Sequence, residues 1–126
     1  MTLRKITDKD LSQILTGLVA MQKQITYRNV RYSIDDLAVL FYVSQVNALN
    51  VHPTKAEIAK ALNIPYAKLA APTSSYKKMI ENVLIAESAK GFQRGMSVSV
   101  TIMGQTLCND FFDKLSKYVD NMKFIT

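Results

Sequence analysis

The chain has 126 residues, 48% hydrophobic and 21% charged, a length and balance that fit one globular domain whose core needs no disulfide or metal. No run reaches about 18 unbroken apolar residues, which excludes a helical membrane span. One cysteine cannot form an internal disulfide, and Met1–Asp8 lacks the apolar run of a secretory leader, so the expected compartment is a reducing cytoplasm.

The net charge of +6 is unevenly spread. Residues 1–54 carry six Lys/Arg against four Asp/Glu, residues 55–94 seven against three, and residues 95–126 three of each. The basic excess gathers in the middle third. Such a patch either serves solubility alone or attracts a polyanion, and what it overlaps decides between the two.

Taken in chain order, Thr7 is a good N-cap for a helix running to about Gln24, with Asp8 and Asp10 at the positive end of its dipole. Leu11, Ile14, Leu15, Leu18, Val19 and Ile25 mark one face of it, and Gly17 weakens it by about 1 kcal/mol if the site is an ordinary helix interior. Tyr27–Tyr32 reads as a connection with two exposed arginines, Arg28 and Arg31. Ser33, followed by Asp35 and Asp36, opens a second helix to Ala48, apolar on every side from Leu37 to Val43 and therefore expected to be buried.

Thr54 and Glu57 form a capping box at the start of a third helix, with Ile58, Ala61 and Leu62 inward and Asn63 as its stop. Pro65 and Pro72 then punctuate a short turn of helix at Tyr66–Ala70 and a helix from about Thr73 to Asn82. Leu84–Ala89 and the alternating Met96–Ile102 read as two strands. Gly91 and Gly95 suit the hairpin between them, whose tip is basic. A last helix spans Gly104 to about Lys123, with Leu107, Cys108, Phe111, Phe112, Leu115, Tyr118, Val119 and Met122 on its apolar stripe.

The order is helix, helix, capped helix, turn, helix, hairpin, helix. The expected fold is mainly α (α+β), a winged helix-turn-helix with a two-stranded β wing and N- and C-terminal dimerisation helices. In such a motif the second helix enters the major groove while the first crosses the backbone, and the basic third of the chain falls on these elements. One domain is expected over residues 1–126, with 1–32 and 104–126 as dimerisation helices, 33–103 as the DNA-binding lobe and the wing at about 86–102.

Three stretches in the right order resemble the MarR family of bacterial winged-helix regulators: Thr54–Leu62 its first motif helix, Pro72–Ile85 its recognition helix and following strand, and Arg94–Gly104 its wing. The resemblance implies a homodimer on double-stranded DNA, a sequence-specific transcriptional regulator acting as a repressor. Thr73, Ser75 and Tyr76 match positions that face bases and phosphates, Lys77 and Lys78 add backbone charge, and Arg94 matches the wing arginine of the minor groove, with Lys90 nearby. The same reading gives Thr54, Lys55, Lys68 and Ser74 to the DNA-facing set. The dimer interface falls to Leu11, Ile14, Leu15 and Leu18 of the first helix and to Phe111, Phe112, Leu115, Tyr118, Val119 and Met122 of the last.

The chain departs from the family pattern at Tyr76, where an arginine is common, and at Phe92, where an aspartate usually precedes the wing arginine. Val83 replaces the usual glycine after the recognition helix, which moves the expected left-handed cap to Asn82. The turn at Ile64–Ala71 is longer than the family's.

His52 has no Cys or His partner at ligand spacing, and no metal or cofactor is expected. Cys108 lies on an apolar stripe, which favours a buried thiol over the oxidant sensor of some relatives. Asp8, Asp10, Asp35 and Asp36 read as helix-start residues rather than a catalytic pair, so no enzyme activity is expected. The tyrosines are open to two readings, packing or the lining of a small-molecule effector pocket between the dimer helices and the DNA-binding lobe. Two alternatives to the regulator stand beside it: a winged helix used for protein–protein interaction, and a DNA-binding protein of plasmid or phage replication or partition.

Overall fold

The computed structural model describes residues 6–22, 25–89 and 96–120. The helices are α1 (Asp8–Met21), α2 (Ile34–Ala48), α3 (Lys55–Leu62), α4 (Tyr66–Ala70), α5 (Ser75–Glu81) and α6 (Ile102–Ser116). The strands are β1 (Thr26–Tyr27), β2 (Val30–Arg31), β3 (Ile85–Ala89) and β4 (Met96–Val100). This is a mostly helical fold with an antiparallel two-stranded wing, β3–β4, paired from Ile85↔Val100 to Ala89↔Met96.

Local chemistry sets the helix starts. Thr7 with Asp10, Ser33 with Asp36 and Thr54 with Glu57 each form a reciprocal capping box, satisfying two amides that a helix N-terminus otherwise leaves unpaired. Asn63 ends α3 in the left-handed region at φ 55°, as expected of an asparagine stop.

Elsewhere, nonlocal partners move the expected boundaries. The connection after α1 contains a small hairpin: Arg28 and Asn29 take φ 50° and 64°, the paired left-handed turn that matches strand twist, and both Arg28 and Arg31 are exposed. The helix expected from about Thr73 begins at Ser75 and is capped by Ser74, whose hydroxyl accepts from the Lys77 amide at 3.1 Å while donating to the Leu69 carbonyl at 2.9 Å. The second wing strand ends at Val100 rather than Ile102. Thr101 caps α6 through the Gly104 amide, so the helix begins at Ile102, which is 87% exposed. In α3 the inward residues are Ile58 and Ala59, whereas Ala61 is exposed.

The core gathers around α2, which packs on α3, α6 and β4. Val43, Ile58, Leu84 and Val98 are fully buried, each stabilising by about 1.5–3 kcal/mol. The outer edge of β4 is also filled. The Val98 amide donates to the Pro53 carbonyl at 2.8 Å, and the Val100 amide donates to the Asn47 side chain at 2.7 Å.

Two glycines have packing roles. Gly17 is buried where α1 meets α6, with the Leu115 side chain 2.7 Å from where a Cβ would stand, so the site is not an ordinary helix interior. At Gly104 a Cβ would lie 2.1 Å from the Leu84 carbonyl oxygen. The left-handed cap after α5 falls on Val83 (φ 60°), not Asn82 (φ −84°). A β-branched residue there is strained by about 1–2 kcal/mol.

Thermal unfolding followed by circular dichroism is expected to separate these sites. Val83→Asn gains about 1 kcal/mol by relieving the strain at a half-exposed position, whereas Gly104→Ala loses at least about 2 kcal/mol by overpacking against backbone.

Candidate nucleic-acid interface

The face formed by α3, α5 and the wing carries most of the residues expected to meet DNA, and the structure sorts them. Lys77 and Lys78 are exposed on α5, and Thr73 is exposed just before it; Ser75, its first residue, is half-buried. Thr54 is half-buried as the α3 cap, and its backbone bridges to Ser97 of β4. Lys90 and Arg94, with the wing tip between them, lie outside the described residues, as does Met122.

Two residues assigned to DNA are not on that surface. Tyr76 is 2% exposed: its ring belongs to the core and its hydroxyl donates to Glu87 at 2.9 Å. Burial, together with the carboxylate that accepts its hydrogen bond, pushes that hydroxyl well above the usual tyrosine range. Ser74 is 7% exposed, and its hydroxyl is used by the α5 cap. An arginine at position 76 would need solvent or a phosphate; a tyrosine instead fills the gap between α5 and β3.

The remaining lysines differ in what holds them. Lys68 on α4 pairs with Asp35 at the start of α2 at 2.7 Å, and that hydrogen bond raises its pKa. Lys55 turns inward, 3.9 Å from Glu87 and 5.2 Å from the centroid of the Tyr76 ring. Glu87 was not among the residues that local reasoning singled out. Its signal is the period-two alternation of the strand, which puts it on the same side as buried Ile85.

Behind this face, Tyr32 is buried and its hydroxyl accepts from the Asn82 side chain at 2.8 Å, tying the C-cap of α5 to the segment before α2. His52 is bonded through Nδ1 to the Ser99 hydroxyl at 2.9 Å, a structural contact at the base of the wing. Among the described residues no cluster of His, Cys, Asp and Glu suits a metal ion, and no helix is long and apolar enough to cross a membrane.

At the opposite side, α1 and α6 pack on each other. Gln13 exchanges hydrogen bonds with Asp120, both at 3.2 Å, and Lys9 stands 3.4 Å from the same carboxylate. Leu11, Leu15 and Val19 remain 51%, 55% and 73% exposed, whereas Ile14 and Leu18 are half-buried. On α6, Phe112 is exposed, Leu115 is half-buried, and Phe111 meets Phe41 edge-on at 5.9 Å. The helix ends at Ser116, short of the expected Lys123, so Tyr118, also exposed, lies in the turn beyond it. Val119 is 1% exposed within the single chain, so it is core and not available to a partner.

No protein-family model matches the chain, and no curated protein matches its sequence. Its three-dimensional structure is similar to that of the transcriptional repressor CouR bound to a 23-mer DNA duplex, with a TM-score of 0.65 and 13% identity over 88% of this chain and 70% of that one. At that identity the likeness shows the fold, a winged helix.

Cys108 is buried, and burial pushes its thiol up to about 11 from an ordinary value of 9.0. A disulfide reagent at pH about 8 is therefore expected to modify the folded chain far more slowly than the unfolded one. The neutral thiol is favoured by folding, so its contribution is complete below the unfolded pKa. It is lost as pH rises from 9.0 toward about 11, a component that denaturant titrations should show disappearing in Cys108→Ala.

Proposed function

We propose that the chain binds double-stranded DNA as a homodimer, with sequence specificity, and regulates transcription as a repressor by occupying a promoter. The observation that carries this reading is the exposed pair Lys77 and Lys78 on α5, in a winged-helix fold like that of a DNA-bound repressor. It also draws on the basic middle third of the sequence and on the resemblance of three stretches to the MarR family. Each subunit lays α5 in a major groove, with Thr73 and Ser75 near the backbone, Arg94 in the minor groove and Lys90 nearby. The operator is then a rough palindrome with half-sites about one helical turn apart.

The dimer forms through α1 and α6. In support, Leu11, Leu15 and Val19 of α1 stand exposed, as do Phe112 of α6 and Tyr118 just after it. An apolar groove of about 270 Å³ lies where α1, α2 and α6 meet, lined by Leu18, Phe41, Phe111, Phe112 and Leu115 among others. A cleft of about 500 Å³ between β1 and α6, with Tyr27, Met103 and Leu107 in its walls, is the place this reading gives to a small-molecule effector.

Fluorescence anisotropy with a randomised duplex pool, followed by sequencing of the retained DNA, tests the reading. Binding is expected to enrich a palindrome and to weaken by orders of magnitude between about 50 and 200 mM salt. Lys77→Ala is expected to lower the salt slope by about 1 without changing sequence preference; no binding to any duplex at low salt overturns the reading. In sedimentation the chain is expected to run as a dimer, and Leu15→Glu, which puts a charge on an exposed apolar position, as a monomer.

A further inference from the structure

Three elements of the winged helix-turn-helix meet at one carboxylate. Glu87 sits in the middle of β3, and its Oε2 accepts the Tyr76 hydroxyl of α5 at 2.9 Å. The same oxygen lies 3.9 Å from Nζ of Lys55, the first residue of α3. That ammonium also stands over the Tyr76 ring, 5.2 Å from its centroid. The Lys55 and Glu87 side chains are 26% and 21% exposed, at a cleft of about 310 Å³ that Lys77 and Glu81 also line.

A cation at the first residue of a helix stands at the positive end of the dipole, where it is disfavoured. Here the carboxylate and the ring face offset that placement. Lys55 is thus drawn inward by two attractions, whereas Lys77 and Lys78 point to solvent. A phosphate approaching Lys55 would also meet the charge of Glu87, so the two anions compete for one cation in a partly desolvated site.

Resting on the DNA-binding reading above, we infer that Glu87 masks Lys55 from the DNA backbone. Phosphate contact at this face then falls to Lys77 and Lys78, and Glu87 limits how tightly the face grips any duplex. Glu87 is a positioning residue: it acts through Lys55 and Tyr76 and does not touch the nucleic acid.

The test compares the full-length chain with Glu87→Gln, Lys55→Gln and the double variant on a mixed-sequence duplex across a range of salt. Glu87→Gln keeps an oxygen for the Tyr76 hydroxyl and removes only the charge. It is expected to bind several-fold tighter and to steepen the salt slope by about 0.9, one more phosphate contact. Lys55→Gln alone weakens binding far less than Lys77→Gln does, and the double variant loses the gain. A second measurement needs no DNA: in the free protein, acetylation of Lys55 read by mass spectrometry is expected to run several-fold faster in Glu87→Gln, with Lys78 unchanged as reference.

Masking is overturned if Lys55→Gln weakens binding as much as Lys77→Gln, if Glu87→Gln binds no tighter, or if the acetylation rate does not change. If neither the wild type nor Glu87→Gln binds a duplex at low salt while Lys55 acetylation still accelerates, the carboxylate holds Lys55 as described but the DNA-binding reading fails, and masking from DNA fails with it.

Discussion

The Leu84 carbonyl joins the end of the α5 segment, the base of the wing and the start of α6. It accepts from the Thr101 amide at 3.1 Å and shares the Thr101 hydroxyl hydrogen with the Val83 carbonyl, at 3.0 Å and 2.5 Å, while that hydroxyl also accepts from the Gly104 amide. A contact this close is open only to glycine at position 104, and it follows a residue forced into the left-handed region at Val83. The wing therefore leaves α5 at a fixed angle, and α6 returns from the wing at a fixed depth. The position of the lysines on α5 relative to β3 depends on this joint, as does the seat of Cys108 in the core.

How much of this was legible follows from the range of the forces involved. The starts of α1, α2 and α3 are set by hydroxyl–carboxylate exchanges across three residues, and all three are written locally in the chain. The short α4 has no side-chain cap and was legible from the prolines that frame it, Pro65 and Pro72. The left-handed residue after α5 was not, because chain reversal into the wing requires it at Val83 whatever side chain stands there. The hairpin at Thr26–Arg31 was missed because its strands are two residues each, too short for any periodicity.

The elements that carry the candidate interface were legible in outline, and the burial and partners of its individual side chains were not. The sequence pattern places Tyr76 one residue before two exposed lysines but is silent on what lies across from it, and the answer, Glu87 of β3, is eleven residues away in the chain. Lysines that look equivalent in sequence diverge for similar reasons. Lys68 finds Asp35 across a gap of thirty-three residues, Lys55 finds Glu87, and Lys77 and Lys78 remain in solvent. Net charge per segment counts these residues equally, although only those not held by an anion are fully available to attract a polyanion at short range.

The filled edge of β4 bears on how the chain can associate. A hairpin of two strands normally offers an unpaired row of amides and carbonyls, along which another chain can add a strand. Here the Val98 and Val100 amides already donate to Pro53 and Asn47, and Thr54 bridges to Ser97. The hairpin is thereby closed on that side by its own chain. Strand addition there, whether by a partner peptide or by runaway stacking of like copies, would first have to displace contacts made by Asn47 of α2 and by the residues that open α3.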